Sequence, residues 1–286
     1  YTNADQEAGD NSYRYSGANP NNYVCFGSDA ATCPNDNLYR IIGLFDDDKD
    51  GTYNIKLIKY DYVIASALGT NGDYYNTYEN TGHYGAYHKG QNSLSLIGTY
   101  FWNYNTWNNS WSESDLNKIN LNTNYWNSLD SLWQEMIAIT SWKVGGNTLE
   151  KIYEVSVKNT YQNEIVRPAV STTYSSRVAL MYTSDYGYAS APENWQLKLN
   201  YEEYDSDAVR NNNWMYMGLQ EWTITRNSED NDKVFVVENS GYVDFRFSAS
   251  DGTDTLAARP VFYLKSNVNI ADGTGTLSNP YRLSVN

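Results

Sequence analysis

Residues 234–247 constrain the fold more than any other stretch. Phe235 and Val237 precede a Ser240-Gly241 turn, and Val243, Phe245 and Phe247 follow it at every second position. A period of two places these side chains on one face of an antiparallel hairpin and sends Tyr242, Asp244 and Arg246 to the other. A chain built on such a hairpin is not an all-helical bundle. Heptads are absent, and no apolar run approaches the ~20 residues of a membrane span. With 41% of its 286 residues hydrophobic, the chain can bury a core.

Other segments extend this pattern. Residues 38–45 and 53–60 are apolar runs flanking an acidic, Gly-ended turn, which predicts a second hairpin; within it Ile55, Leu57 and Lys59 alternate with Lys56, Ile58 and Tyr60. Residues 71–111 are rich in Gly, Tyr, Asn and Trp and predict a long ordered loop region. Ser112-Glu-Ser-Asp ahead of Leu116, Ile119 and Leu121 reads as a capped helix start. Leu129, Leu132, Trp133, Met136 and Ile137 fit one face of a second helix, which Gly145 and Gly146 bound. Strands are expected at 154–158 and 178–182, a short helix at 190–195 with Pro192 in its first turn, and a final strand from Pro260. No linker composition or repeat divides the chain. The expected organisation is an extended arm over 1–22 and a single α+β domain over 23–286, with an inserted loop and helix region at about 71–142.

Twenty basic against 34 acidic residues leave a net charge of −14. Nucleic acid is therefore not an expected partner, since phosphate binding needs a concentrated basic surface. The two histidines, His83 and His88, lie five apart in a Gly/Tyr-rich stretch and read as loop imidazoles, because a metal site needs further ligands. The only cysteines, Cys25 and Cys33, have seven residues between them. That spacing suits a short disulfide loop, worth ~2–3 kcal/mol from loop closure, better than zinc or CxxC redox chemistry, with two free thiols as the alternative. A disulfide implies an extracellular location. The chain opens at Tyr1 without a hydrophobic leader, which suggests a mature or trimmed ectodomain.

Little in the sequence marks a catalyst. Asp46, Asp48, Asp50 and Gly51 follow the start of a calcium loop, but an EF-hand would need Glu where Leu57 stands, so an acidic hairpin turn competes with Ca2+ as the reading. There is no Gly-x-Ser-x-Gly, no phosphate-binding glycine loop and no cofactor box. A glycosidase could use two of the many carboxylates, which spacing alone does not identify. Binding is better supported. The chain holds 28 Tyr and 36 Asn, residues that give recognition loops contact area and adaptable hydrogen bonding, although most must serve core and turns.

Several motifs carry a resemblance. Residues 179–189 (Ala-Leu-Met-Tyr-Thr-Ser-Asp-Tyr-Gly-Tyr-Ala), Asn-Asn-Trp-Met-Tyr at 212–216, Glu-Trp-Thr-Ile-Thr-Arg at 221–226 and Ala-Arg-Pro-Val-Phe-Tyr-Leu at 258–264 look like a family of uncharacterised surface proteins of gut Firmicutes. The block from Asn21 through Cys33 to Gly43 is similar too, so the resemblance spans nearly the whole chain. Members often carry a prepilin-like leader, so the resemblance implies a bacterial cell-surface protein that touches a membrane only through a removed N-terminal anchor. The C-terminal part also resembles the C-type-lectin-like fold of variable proteins from diversity-generating retroelements, in which adenine-templated codons are randomised and the varied side chains form a ligand face.

That resemblance implies a C-type-lectin-like α+β fold with varied positions between Arg226 and Asp254. The implied ligand contacts are Arg226, Asn227, Asp230, Asp232, Asn239, Tyr242, Asp244, Arg246 and Ser248. Glu229, Lys233 and Glu238 depart from the pattern, since adenine changes in Asn codons ending in a pyrimidine do not produce them. Formylglycine-generating enzymes share the fold but use a C-terminal cysteine pair, which this chain lacks. Pro192-Glu193-Asn194 has the wrong order for a calcium-dependent sugar motif. The expectation is a non-enzymatic receptor or adhesin whose partner is a protein or glycan on another cell or phage. A glycan-active enzyme and a pilus or filament subunit are the alternatives.

Overall fold

The structure, a computed structural model, describes residues 2–3, 12–46, 50–72, 74–78, 88–104, 106, 108–247 and 255–286. Five strands open the chain: β1 (Thr2–Asn3), β2 (Tyr13–Arg14), β3 (Tyr23–Cys25), β4 (Leu38–Phe45) and β5 (Asn54–Lys59). β4 and β5 are the hairpin expected from the two apolar runs, with Ile41 opposite Leu57. β2 and β3 lie along the other edge of β4, so residues of the expected arm join the sheet and Arg14 is buried. Two ribbons follow, β6 (Tyr74–Thr77) with β7 (Gly98–Tyr100) and β8 (Thr140–Lys143) with β9 (Thr173–Ser176). β10 (Glu221–Arg226), β11 (Lys233–Val237) and β12 (Val243–Phe247) form a separate three-stranded sheet. β13 (Val261–Tyr263) returns to the edge of β5, and β14 (Val268–Asp272) pairs with β15 (Arg282–Val285). These ladders are all antiparallel, the helices are short, and the architecture is α+β.

One large cluster of buried side chains runs through both sheets and takes in Trp102, Trp111, Leu116, Leu121 and Tyr125 from the middle of the chain. Trp222 on β10 donates its indole N–H to the Tyr100 carbonyl at 2.7 Å, and Trp102 returns one to Thr223 at 3.2 Å. The middle region therefore braces the three-stranded sheet. Two motifs of the resemblance meet in a buried fork, where Arg259 Nε and a terminal guanidinium nitrogen reach Glu221 at 2.7 and 2.8 Å. Breaking such a buried pair is more costly than the pair's net contribution, so it fixes where β10 sits.

Several expectations change. Residues 178–182 form no strand; the segment is wholly buried, with Ala179 bonded both ways to Val261 and the Met181 carbonyl accepting from Ile224 N–H, which joins the two sheets. Residues 154–158 form no strand: 154–156 precede a helix over Val157–Tyr161, and Val157 packs where Gly187 has no side chain, 2.9 Å from the position a Cβ would take. Such short apolar runs fit either period. The helix expected around 129–137 shrinks to Ser131–Gln134, leaving Leu132 70% exposed while Trp133 and Ile137 reach the core. The capped helix exists as a π-type segment, Leu116–Tyr125, and Ser114 rather than Ser112 accepts from the Asn117 N–H. The strand at Pro260 is not the last, because β14 and β15 follow it. The expected helix at Pro192 is present as a single turn, Pro192–Asn194.

Lys56, which the alternation sets on the other face of β5 from Ile55 and Leu57, is buried as well, because the helix Thr183–Tyr188 covers that face of the sheet. Its ammonium lies 2.6 Å from Asp185, which Arg14 also approaches at 3.3 Å, and the rings of Tyr182, Phe45, Tyr263 and Trp142 surround it. A buried carboxylate shared by two cations in an aromatic box is a tertiary anchor.

Candidate functional site

The three-stranded sheet positions the residues implicated by the sequence. Val237 pairs with Val243 across the turn, as the alternation predicts, and Val234, Phe235, Val236, Val237 and Val243 are all buried. Tyr242 and Asp244 are half-buried, with the Tyr242 ring 5.5 Å from that of Tyr201. Phe245 is half-buried too, beneath the Lys233 ammonium at 5.2 Å, so the inward face opens toward solvent at this end. Arg246 occupies the expected register opposite Val234. Ser248 lies outside the described residues, as do Asp48 and His83.

The connection between β11 and β12 is held from outside. Its three successive carbonyls each accept a side-chain bond: Asn239 from the Tyr216 hydroxyl at 2.5 Å, Ser240 from Arg210 at 2.8 Å and Gly241 from the Tyr186 hydroxyl at 2.6 Å. Gly241 has φ of 99°, which a side chain rarely adopts, and a Cβ there would meet Arg210 Cβ at 3.0 Å. The backbone is thus fixed, while the Asn239 side chain is exposed. Asn239 and Ser240 form one wall of an open pocket of about 420 Å³ whose other walls include Lys89, Arg210, Asn211 and Tyr216.

Lys89 reaches this pocket from a loop that Asp61 organises. The Asp61 carboxylate, itself buried, lies 2.7 Å from His88 Nε2 and accepts the backbone N–H groups of Gln91 at 2.6 Å and Asn92 at 2.7 Å. Burial opposes ionisation of Asp61, but the hydrogen bonds from His88, Asn92 and Gln91 hold its carboxyl below the usual range. His88 is therefore a clamped, largely buried side chain rather than a free loop imidazole. The Lys89 N–H bonds the Met217 carbonyl, and its ammonium sits 4.6 Å from the Tyr216 ring centre.

The connection between β10 and β11 is closed differently. The Asn109 side-chain amide donates to the carbonyls of Asn227, Asp230 and Lys233 at 2.7–2.8 Å. Asn227 is buried, its own amide oxygen accepting from Glu229 N–H, so it is scaffold and not a ligand contact. Arg226 likewise turns its Nε to the Gly145 carbonyl at 3.0 Å, and burial lowers its pKa. Gly145 and Gly146 bring the 144–148 segment against β10, where it takes the Arg226 guanidinium, whereas the polar groups of Asn227 are taken by Glu229, Asn109 and Lys233. Asp230 and Asp232 do sit near the surface. Asp230 pairs with Lys233 at 3.1 Å. A proton shared between the two carboxyls lowers Asp230, while burial and the neighbouring Asp230 push Asp232 up to about 6.

The remaining expectations fall elsewhere in the fold. Cys25 and Cys33 are joined in a disulfide. Asp46 is buried and accepts the Gly51 N–H at 3.1 Å, and Asp50 accepts that of Thr52 at 2.7 Å. Among the described residues no group of three or more His, Cys, Asp or Glu side chains is arranged to hold a metal. Sequence reasoning missed Lys89, Arg210, Tyr216, Asp61 and Asn109. Only Asp207 and Arg210, three apart and ion-paired across one helical turn, carried a local signal. Comparison of the chain with protein-family models, curated proteins and solved structures returned no match.

Proposed function

We propose that this chain is an extracellular ligand-binding protein, of receptor or adhesin type, that recognises its partner with the β11–β12 turn and the surface around it, without catalysis. The observation that carries this reading is the triple clamp on residues 239–241. Three carbonyls held by Tyr216, Arg210 and Tyr186 fix the turn before any ligand arrives, and the exposed Asn239 side chain faces an open pocket. A surface ordered in advance loses less entropy on binding, which is how rigid recognition faces gain affinity.

The contact set narrows accordingly to Asn239, Tyr242 and Asp244, with Asp230 and Asp232 at the far end of the same sheet. The C-type-lectin-like scaffold and retroelement-driven variation of this face belong to the same proposal and rest on the sequence resemblance. The Cys25–Cys33 disulfide supports an oxidising location. The test is to probe glycan and protein arrays with labelled wild type and with Asn239→Ala, Asp244→Ala protein. Binding lost in the variant with an unchanged melting curve supports the proposal. Equal binding by both proteins would move the recognition face elsewhere.

A further inference from the structure

Lys89 is the one cation of this pocket left without a carboxylate among the described residues. Arg210, its neighbour, is engaged by Asp205 at 3.1 Å and by Asp207, as well as by the Ser240 carbonyl. The Lys89 ammonium lies 4.6 Å from the Tyr216 ring centre. Burial and the adjacent Arg210 charge pull its pKa below the usual lysine range, so the pocket holds a cation at some electrostatic cost. An anion placed there would relieve that cost.

The rest of the lining selects the kind of anion. Asn211 and Asn239 offer amides that both donate and accept, and Ser240 adds a hydroxyl, the groups that pair with vicinal sugar hydroxyls. No aliphatic side chain lines the pocket, which disfavours an apolar ligand, and its volume is that of a small-molecule site. Asp207 beside Arg210 would repel a dianionic phosphate more than a singly charged carboxylate.

We infer that this pocket binds a carboxylate-bearing sugar, such as a uronic or sialic acid residue, with Lys89 receiving the carboxylate and Asn211, Asn239 and Ser240 the hydroxyls. Asp61 acts as a positioning residue, since its bonds to His88, Gln91 and Asn92 hold Lys89 over Tyr216. The inference rests on the proposed role of the turn and specifies its ligand.

The experiment is an NMR titration of the full chain with D-glucuronic acid, N-acetylneuraminic acid, D-glucose, acetate and inorganic phosphate, repeated on Lys89→Gln and Asn239→Ala. The expected result is that an acidic sugar binds at least tenfold more tightly than glucose or acetate and perturbs the signals of Asn239 and Ser240. Lys89→Gln should remove that preference, and Asn239→Ala should weaken acidic and neutral sugars alike. If glucose binds as well as the acids and Lys89→Gln changes nothing, the charge assignment is overturned while the turn keeps its role. If acetate or phosphate binds as tightly as the acidic sugars, the site is a bare anion site and the sugar assignment is wrong. Absence of any binding, or binding that neither variant alters, overturns the inference, and the array experiment then decides separately whether the turn recognises another ligand.

Discussion

The β10–β11 loop and the β11–β12 turn belong to one sheet, and side chains from distant parts of the chain clamp both. At the first, the Asn109 amide reaches three carbonyls and the flanking Arg226 and Asn227 turn their polar groups into the protein. At the second, Tyr216, Arg210 and Tyr186 take the carbonyls from behind, and Asn239 remains exposed. Similar clamping therefore accompanies flanking polar groups turned inward in one case and a presented Asn239 in the other. What separates them is where the side chains of the connection itself go: the Asn227 amide oxygen accepts the Glu229 N–H within its own loop, whereas the clamp at 239–241 takes backbone carbonyls and leaves the Asn239 side chain exposed.

Variants at the two connections should separate accordingly. Asn109→Ala removes a side-chain donor that three carbonyls share, of which those of Asp230 and Lys233 keep a backbone N–H, and should cost about 2 kcal/mol in a denaturant melt while leaving the pocket's ligand binding intact. A melt like that of wild type would show that the first loop does not depend on this amide. Gly241→Ala should cost about 1–2 kcal/mol through backbone strain and should also reduce binding, because the turn that presents Asn239 would shift. Binding preserved at full strength in that variant would mean that the clamped backbone is irrelevant to recognition. Tyr216→Phe removes one clamp bond, for about 1 kcal/mol and a smaller loss of binding.

A pH titration probes the first connection alone. Asp232, raised to about 6 beside Asp230, favours the folded state while it is protonated. Its contribution is present at acid pH, is lost as pH rises through about 6, and should appear as a carboxyl-carbon NMR titration with a midpoint near that value. A midpoint near 4 would remove the shared proton from the description. Asp61 has the opposite sign: its pKa is held down, so the 88–92 loop should loosen only as pH falls below the ordinary carboxylate range.

The sequence made the sheet legible because its strands announce themselves locally. The β11–β12 hairpin and the β4–β5 hairpin follow from alternation and turn residues within 15 and 22 positions of chain. The site was less legible, since its decisive contacts span long separations: 23 residues from Tyr216 to Asn239, 30 from Arg210 to Ser240 and 118 from Asn109 to Asn227. A tyrosine or asparagine serving as a clamp has no local pattern that distinguishes it from one in a turn. The same limit hides the burial of Lys56, because alternation along β5 does not show the helix that covers its face. Arg226 and Asn227 are scaffold because their bonds close within the fold, the Arg226 guanidinium on the Gly145 carbonyl and the Asn227 amide oxygen on the Glu229 N–H.

The most direct test compares Asn239→Ala with wild type in the array experiment and in a thermal melt. The side chain is exposed, and only its backbone carbonyl serves the clamp, so stability should stay within about 0.5 kcal/mol of wild type. Ligand binding should fall sharply at that unchanged stability. Undiminished binding by the Asn239→Ala protein would contradict the assignment of the β11–β12 turn as the recognition surface.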